Sequence, residues 1–243
     1  MSELYIKNLR VEADGKTVVD GVFLSLKDGE VNVLMGPNGS GKSSLLNAIM
    51  GHPKYKITGG KILLDDKDIT GISTEKKAQT GIFLSLQHLP EISGITLTNF
   101  LHKAYRAQKG GEMTPLDFYK MMEARAKEFG IDAGFLKKHL NAGLSGGEKK
   151  QSEVLQLLAL EPKFALLDEI DSGVDVDALK KVFAAITALK ARGVGFLLVS
   201  HHPNLLQHIK PDQVSVIKNG KIVATGGKEL VGKIAREGFE TVV

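Results

Sequence analysis

Residues 36–43 read Gly36-Pro37-Asn38-Gly39-Ser40-Gly41-Lys42-Ser43, a set of types and spacings suited to holding a polyphosphate. Glycines 36, 39 and 41 allow the backbone to curl until successive N–H groups point at phosphate oxygens. Lys42 can reach the β- and γ-phosphates, and the Ser43 hydroxyl can take one place on Mg²⁺. Ser44 follows in the first turn of a helical pattern, Ser44-Leu45-Leu46-Asn47-Ala48-Ile49-Met50, so the phosphate would sit on a helix N-terminus. An apolar run, Val31-Asn32-Val33-Leu34-Met35, reads as the buried strand leading in. A glycine-rich turn without these neighbours would bind nothing. With strand and helix both in place, the reading is a nucleoside triphosphate site.

Further elements must surround this loop. Leu4 to Val11 and Val18 to Leu26 read as strands separated by the turn at Asp14-Gly15, and Lys61 to Ile69 reads as a short hairpin opened by Gly59-Gly60. Gly81 to Leu86 is a further buried-strand candidate, ending at Gln87. From about Leu97 to Leu140 the chain is charged, methionine-bearing and helical in pattern, without strand signals. Strands return at Phe164–Asp168 and Gly195–Ser200 with a helix over roughly Asp177 to Lys190 between them, an alternation that predicts a parallel sheet. Asn219-Gly220 between two apolar runs predicts a tight hairpin.

Composition excludes several classes. The 243 residues suffice for one sizeable core, or one core with an inserted subdomain. The net charge of +4 is spread along the chain without a dense basic block, so nucleic-acid binding is not implied. No apolar run approaches the ~18 residues of a membrane span, and Met1-Ser2-Glu3-Leu4 does not resemble a signal peptide, so no direct membrane insertion is expected. Cysteine is absent, which excludes disulfides and an iron–sulfur cluster held by this chain's own thiolates, and is compatible with a cytoplasmic setting.

The loop alone leaves GTPases, kinases and many ATPases open. Leu144-Ser145-Gly146-Gly147-Glu148 resembles the signature motif of ATP-binding-cassette (ABC) ATPases, and Phe164 to Glu169 resembles their Walker B segment. Gln87 falls where that family's Q-loop lies, and His201 follows Val199-Ser200 as its switch histidine does. His202 is adjacent, and spacing selects His201 of the two. The resemblance covers essentially the whole chain and implies an α/β P-loop NTPase fold. It further implies a parallel core sheet, an antiparallel β subdomain and an inserted helical subdomain. Within a single domain over 1–243, the catalytic core with its β subdomain is expected over 1–90 and 146–243. The helical subdomain is expected over 91–145.

The resemblance also implies roles. ATP would bind Gly36 to Ser44 of one subunit and be covered by Ser145, Gly146 and Gly147 of another in a transient ATP-dependent homodimer. Ser43, Gln87 and Asp168 would hold Mg²⁺, Glu169 would polarise the attacking water, and His201 would sense the γ-phosphate. Many cassettes stack adenine on an aromatic upstream of the loop; Ala13 stands at the corresponding place, so base recognition is expected to rest on little stacking. Departures from transporter cassettes include Glu148-Lys149-Lys150 after the signature and Ile170-Asp171-Ser172-Gly173-Val174-Asp175 after Walker B. These resemble the SufC type, the soluble ATPases of the Suf iron–sulfur cluster assembly machinery, and imply SufB/SufD-like scaffold proteins as partners. The alternative is the nucleotide-binding subunit of a membrane transporter. A third possibility, a module that closes on ATP without turnover, is disfavoured by Glu169. Lys150, early in the signature helix, would either stand solvated or pair with Glu169 and turn its carboxylate from the γ-phosphate.

Overall fold

The structure, a computed structural model, describes residues 1–85, 91–170, 176–201 and 208–239. Strands β3 (Val31–Met35), β9 (Phe164–Asp168) and β10 (Gly195–Ser200) are buried at every position, as strands covered on both faces must be. They form the middle of a six-stranded sheet with β6 (Ile82–Ser85), β11 (Gln213–Lys218) and β12 (Lys221–Gly226), in the order β12-β11-β3-β10-β9-β6. Every pairing in it is parallel except β11 with β12. The parallel strands therefore deliver their carboxyl ends to one edge, where ligands of open α/β sheets bind.

Side chains alternate across this sheet and divide the interior in two. Val31, Val33 and Met35 of β3 enter one apolar core with Ala165, Leu167, Phe196 and Leu198. Leu34 enters the other with Phe164, Leu166, Leu197 and Val199. The first core is completed by α3 (Leu97–Lys109), α4 (Pro115–Glu128), α5 (Gly146–Leu160) and α6 (Val176–Ala191). The second is completed by α1 (Lys42–Met50) and an antiparallel sheet, β2-β1-β4-β5, of β1 (Glu3–Ala13), β2 (Lys16–Lys27), β4 (Lys56–Leu64) and β5 (Lys67–Asp68). The α/β class, the parallel core sheet and the antiparallel sheet are those read from the sequence.

The structure also holds elements the sequence did not announce. Strand β7 (Ile92–Thr96) pairs with the two-residue β8 (His139–Leu140), enclosing α3 and α4 between them in the chain. A run of two residues carries no alternation, which is why the segment read as purely helical. Helix α2 (Thr74–Gln79) is too short for a helical period to stand out; the Ser73 side chain caps it by accepting from Lys76 N–H. Helix α7 (Lys228–Glu237) buries Val231 and Ile234, spaced to share one face. Among the described residues no helix is long and apolar enough to cross a membrane.

Candidate nucleotide site

The loop between β3 and α1 is shaped by contacts that exclude side chains. A Cβ on Gly36 would lie 2.2 Å from the Ile217 carbonyl oxygen, and one on Gly41, whose φ is 107°, would lie 2.6 Å from that of Val18. Lys42 is buried and curls back, its Nζ donating to the carbonyls of Gly36 (2.8 Å) and Pro37 (2.9 Å). Burial lowers its pKa, against the opposing attraction of Glu169 and Asp168. Lys42, Ser43 and Ser44 form the first turn of α1, with their backbone at the helix's positive end.

Neighbouring strands add acidic groups at the same edge. Asp168 ends β9 and is 2% exposed; burial raises its pKa, while a hydrogen bond from Ser43 and the charges of Lys42 and Lys150 work the other way. Its Oδ1 is buried and has no hydrogen-bond partner among the described residues, and the same holds for Ser40 Oγ inside the loop. A carboxylate oxygen left open beside a serine hydroxyl is a donor set that fits Mg²⁺. Glu169 follows at φ 47°, with its N–H donating to the Val199 carbonyl at 3.0 Å. That tie to β10 carries its side chain toward His201, whose Nδ1 lies 3.4 Å from Glu169 Oε1. Thus Glu169 and His201, read independently from two strand ends, stand together.

A cleft of about 510 Å³ opens over the loop, lined by Thr17, Val18, Asn38, Gly39, Gly41 to Ser44, Glu169, Asn219 and Gly220. Sequence reasoning missed its far wall. The hairpin turn Asn219-Gly220 is fastened to the loop by Gly220 N–H donating to the Ser40 carbonyl at 2.9 Å, and to β2 by Asp20 N–H donating to the Gly220 carbonyl at 2.8 Å. The available signal was topological: β11 runs parallel to β3, so its turn emerges beside the loop. Ala13 is buried and does not line the cleft, and no aromatic side chain among the described residues does.

Ser145, Gly146 and Gly147 are not brought to this cleft within the chain. They start α5, where Ser145 Oγ accepts from Glu148 N–H (3.3 Å) and Glu148 Oε2 accepts from Ser145 N–H (2.8 Å), a reciprocal capping box. Ser145 and Gly146 are exposed, leaving a serine hydroxyl and a helix N-terminus at the surface. Gln87 lies outside the described residues, as does His202.

One expectation is corrected. Lys150 Nζ pairs with Glu153 Oε2 at 2.7 Å, not with Glu169, and both partners are buried. Glu153 in turn accepts from Ser85 Oγ at 2.5 Å. The spacing i,i+3 on one helix brings Glu153 to Lys150 at little entropic cost, so the nearer carboxylate wins.

A family model described as "ABC transporter" matches residues 19–172. The chain is 44% identical to "Vegetative protein 296" of Bacillus subtilis, with 99% of this chain and 93% of that one aligned. It is 44% identical to a probable ABC transporter ATP-binding protein of Streptococcus pyogenes (98% and 94% covered). Against the probable ATP-dependent transporter ycf16 of Antithamnion sp. the identity is 42% (98% and 96%). Among solved structures, a nucleotide-free ATP-binding cassette from an ABC transporter superposes with TM-score 0.77 at 26% identity, covering 98% of this chain and 96% of the other.

Proposed function

Because this chain belongs to the ATP-binding-cassette family of Mg²⁺-dependent ATPases, we propose that it is a SufC-type member, acting through ATP-driven dimerisation on a SufB/SufD-like scaffold in the cytoplasm. A shared fold does not by itself separate such a subunit from a transporter cassette. What supports the choice is the pair of sequence departures from transporter cassettes, Ile170-Asp171-Ser172-Gly173-Val174-Asp175 after Walker B above all, and Glu148-Lys149-Lys150 after the signature glycines. The second reading, a transporter's nucleotide-binding subunit, is favoured by the names of the streptococcal and algal relatives.

In the proposed mechanism the backbone of Gly36 to Ser44 and the Lys42 ammonium receive the triphosphate of ATP. Its arrival draws Lys42 from the Gly36 and Pro37 carbonyls that hold it now. Mg²⁺, held by Ser43, Asp168 and Gln87, would offset charge on the β- and γ-phosphates. Glu169 orients the attacking water and accepts its proton; His201, already beside that carboxylate, fixes its direction and meets the γ-phosphate. Ser145, Gly146 and Gly147 of a second subunit supply donors from the exposed N-terminus of its α5. Catalysis on this reading is positioning and charge stabilisation. The helical subdomain over 91–145 leads into those donors, so closing it over ATP transmits force to the scaffold.

Affinity purification of the chain from its own cells, followed by phosphate-release assays on what co-purifies, tests the proposal. A soluble scaffold pair that stimulates hydrolysis is the expected result. Co-purification with an integral membrane permease, with stimulation by that permease alone, would replace it with the transporter reading.

A further inference from the structure

Lys77 is 0% exposed, yet it carries an ammonium that takes no part in the chemistry above. It projects from α2 and donates from Nζ to the Ile49 carbonyl at 2.9 Å, at the last turn of α1. That turn has no basic residue of its own. Two neighbouring carbonyls are met locally, Asn47 by His52 N–H and Ala48 by Gly51 N–H, while Thr74 Oγ1, from the first residue of α2, donates to the Gly51 carbonyl at 3.0 Å. Thr74 and Lys77, one turn apart, therefore grip the negative end of the helix whose positive end carries Lys42, Ser43 and Ser44.

We propose that Lys77 is a positioning residue for the nucleotide site, its buried ammonium holding the phosphate-binding helix in place and completing the helix dipole from the end opposite the triphosphate. The inference rests on the reading of Gly36 to Ser44 as the triphosphate site. Burying a lysine without a carboxylate is costly, and a charge at a helix C-terminus is a specific compensation for that cost. A bound triphosphate adds negative charge at the other end of the same nine-residue helix, which favours the charged lysine further. The elements packed against α2 are α1, α3 and β6. They and α2 carry Lys42, Glu75, Lys76, His102, Lys103, Tyr105, Arg106 and Lys109, and none of these offsets the burial that lowers Lys77 to about 8. Since the nucleotide favours the protonated lysine, its pKa rises in the complex. Affinity is then greatest below the free value and falls as pH rises through it.

Equilibrium ATP binding to the full chain tests this with Lys77→Met, Lys77→Arg and Lys42→Ala. Lys77→Met should raise the Kd about three- to tenfold at pH 7. Beyond the slope that Lys42, its own pKa lowered by burial, gives every variant that keeps it, the wild-type Kd should rise by a similar factor from about pH 7 to about pH 9.5, an excess slope absent from Lys77→Met. Lys77→Arg, whose guanidinium stays charged, should bind tightly without the excess slope. A merely structural lysine would lower thermal stability yet leave that excess slope in Lys77→Met, or, if that variant fails to fold, in Lys77→Arg; either result overturns the proposal. Should Lys42→Ala bind ATP as wild type does, the triphosphate assignment itself falls, and this inference with it. Loss of binding in Lys42→Ala beside unaltered Kd values and slope in both Lys77 variants would sink the positioning role alone.

Discussion

Glu169 sits 3.4 Å from the imidazole of His201 and borders the cleft over the phosphate loop, and the proposed mechanism makes its carboxylate the group that orients water. Glu169→Gln should keep ATP affinity while turnover falls by ~10²–10⁴, the loss typical of a general base; binding isotherms beside single-turnover phosphate release will show whether the two effects separate. Deeper inside, Glu153 accepts from both Lys150 and Ser85. Glu153→Ala strands a buried ammonium and should cost about 3–5 kcal/mol, whereas replacing Lys150 and Glu153 together by Met and Leu should cost far less. Denaturant unfolding of the singles and the double gives the coupling, and additive losses would mean the pair is not the unit inferred. The two sites also differ in how far sequence reveals them. Lys42, Ser43, Asp168 and Glu169 were legible because a phosphate loop and a strand end constrain residue type at each step. The choice of Glu153 over Glu169 by Lys150 was not, because it depends on which carboxylate is nearer once the helix is packed.

At the scale of elements, α5 depends on its capping box. Glu148 is held down to about 2, first by its hydrogen bond with Lys138 and then by those with Ser145, against an ordinary 4.5. A carboxylate with a lowered folded pKa contributes stability that is complete above 4.5 and is lost as pH falls toward 2. The protection of first-turn amides of α5, taken relative to intrinsic exchange at each pH, should therefore fall across that window, and Glu148→Ala should already show low protection at neutral pH and no such fall. Ser145→Ala removes the other half of the box and should cost about 1 kcal/mol. The long elements around this helix were readable from periodicity, β3, β9 and β10 as apolar runs and α6 as an amphipathic helix. Others were not: α2 and β8 hold too few residues for a period, β7 is interrupted by Gly94 and is not a continuous apolar run, and their places are set by Ser73 capping and by pairing across the base of the helical segment. The turn at Asn219-Gly220 lies between these cases. Its hairpin was plain from two residues, but its place in the nucleotide cleft required knowing that β11 lies beside β3.

For the whole molecule, the decisive geometry is a separation. The cleft over the phosphate loop gathers Lys42, Ser43 and Glu169, while Ser145 and Gly146 stand exposed at the start of α5 and do not line it. One chain thus presents two incomplete halves, and the proposed site closes only when α5 of one copy covers the loop of another. Two consequences follow from mass action. Specific activity of the isolated chain should rise with protein concentration, because the fraction paired rises with it. A scaffold that holds two copies close together supplies an effective concentration in the millimolar range, so it should raise turnover even when the total protein is dilute. Mixing also distinguishes the halves: a Lys42→Ala chain and a Ser145→Arg chain are each inactive alone, yet one site of their heterodimer pairs an intact loop with an intact signature. Activity per total chain should peak when the variants are mixed in equal amounts, at about a quarter of wild type if partners pair at random and up to about half if only heterodimers form. Specific activity that stays constant from nanomolar to micromolar chain, together with no recovery on mixing, would mean that each chain hydrolyses ATP by itself and that the exposed start of α5 serves another purpose.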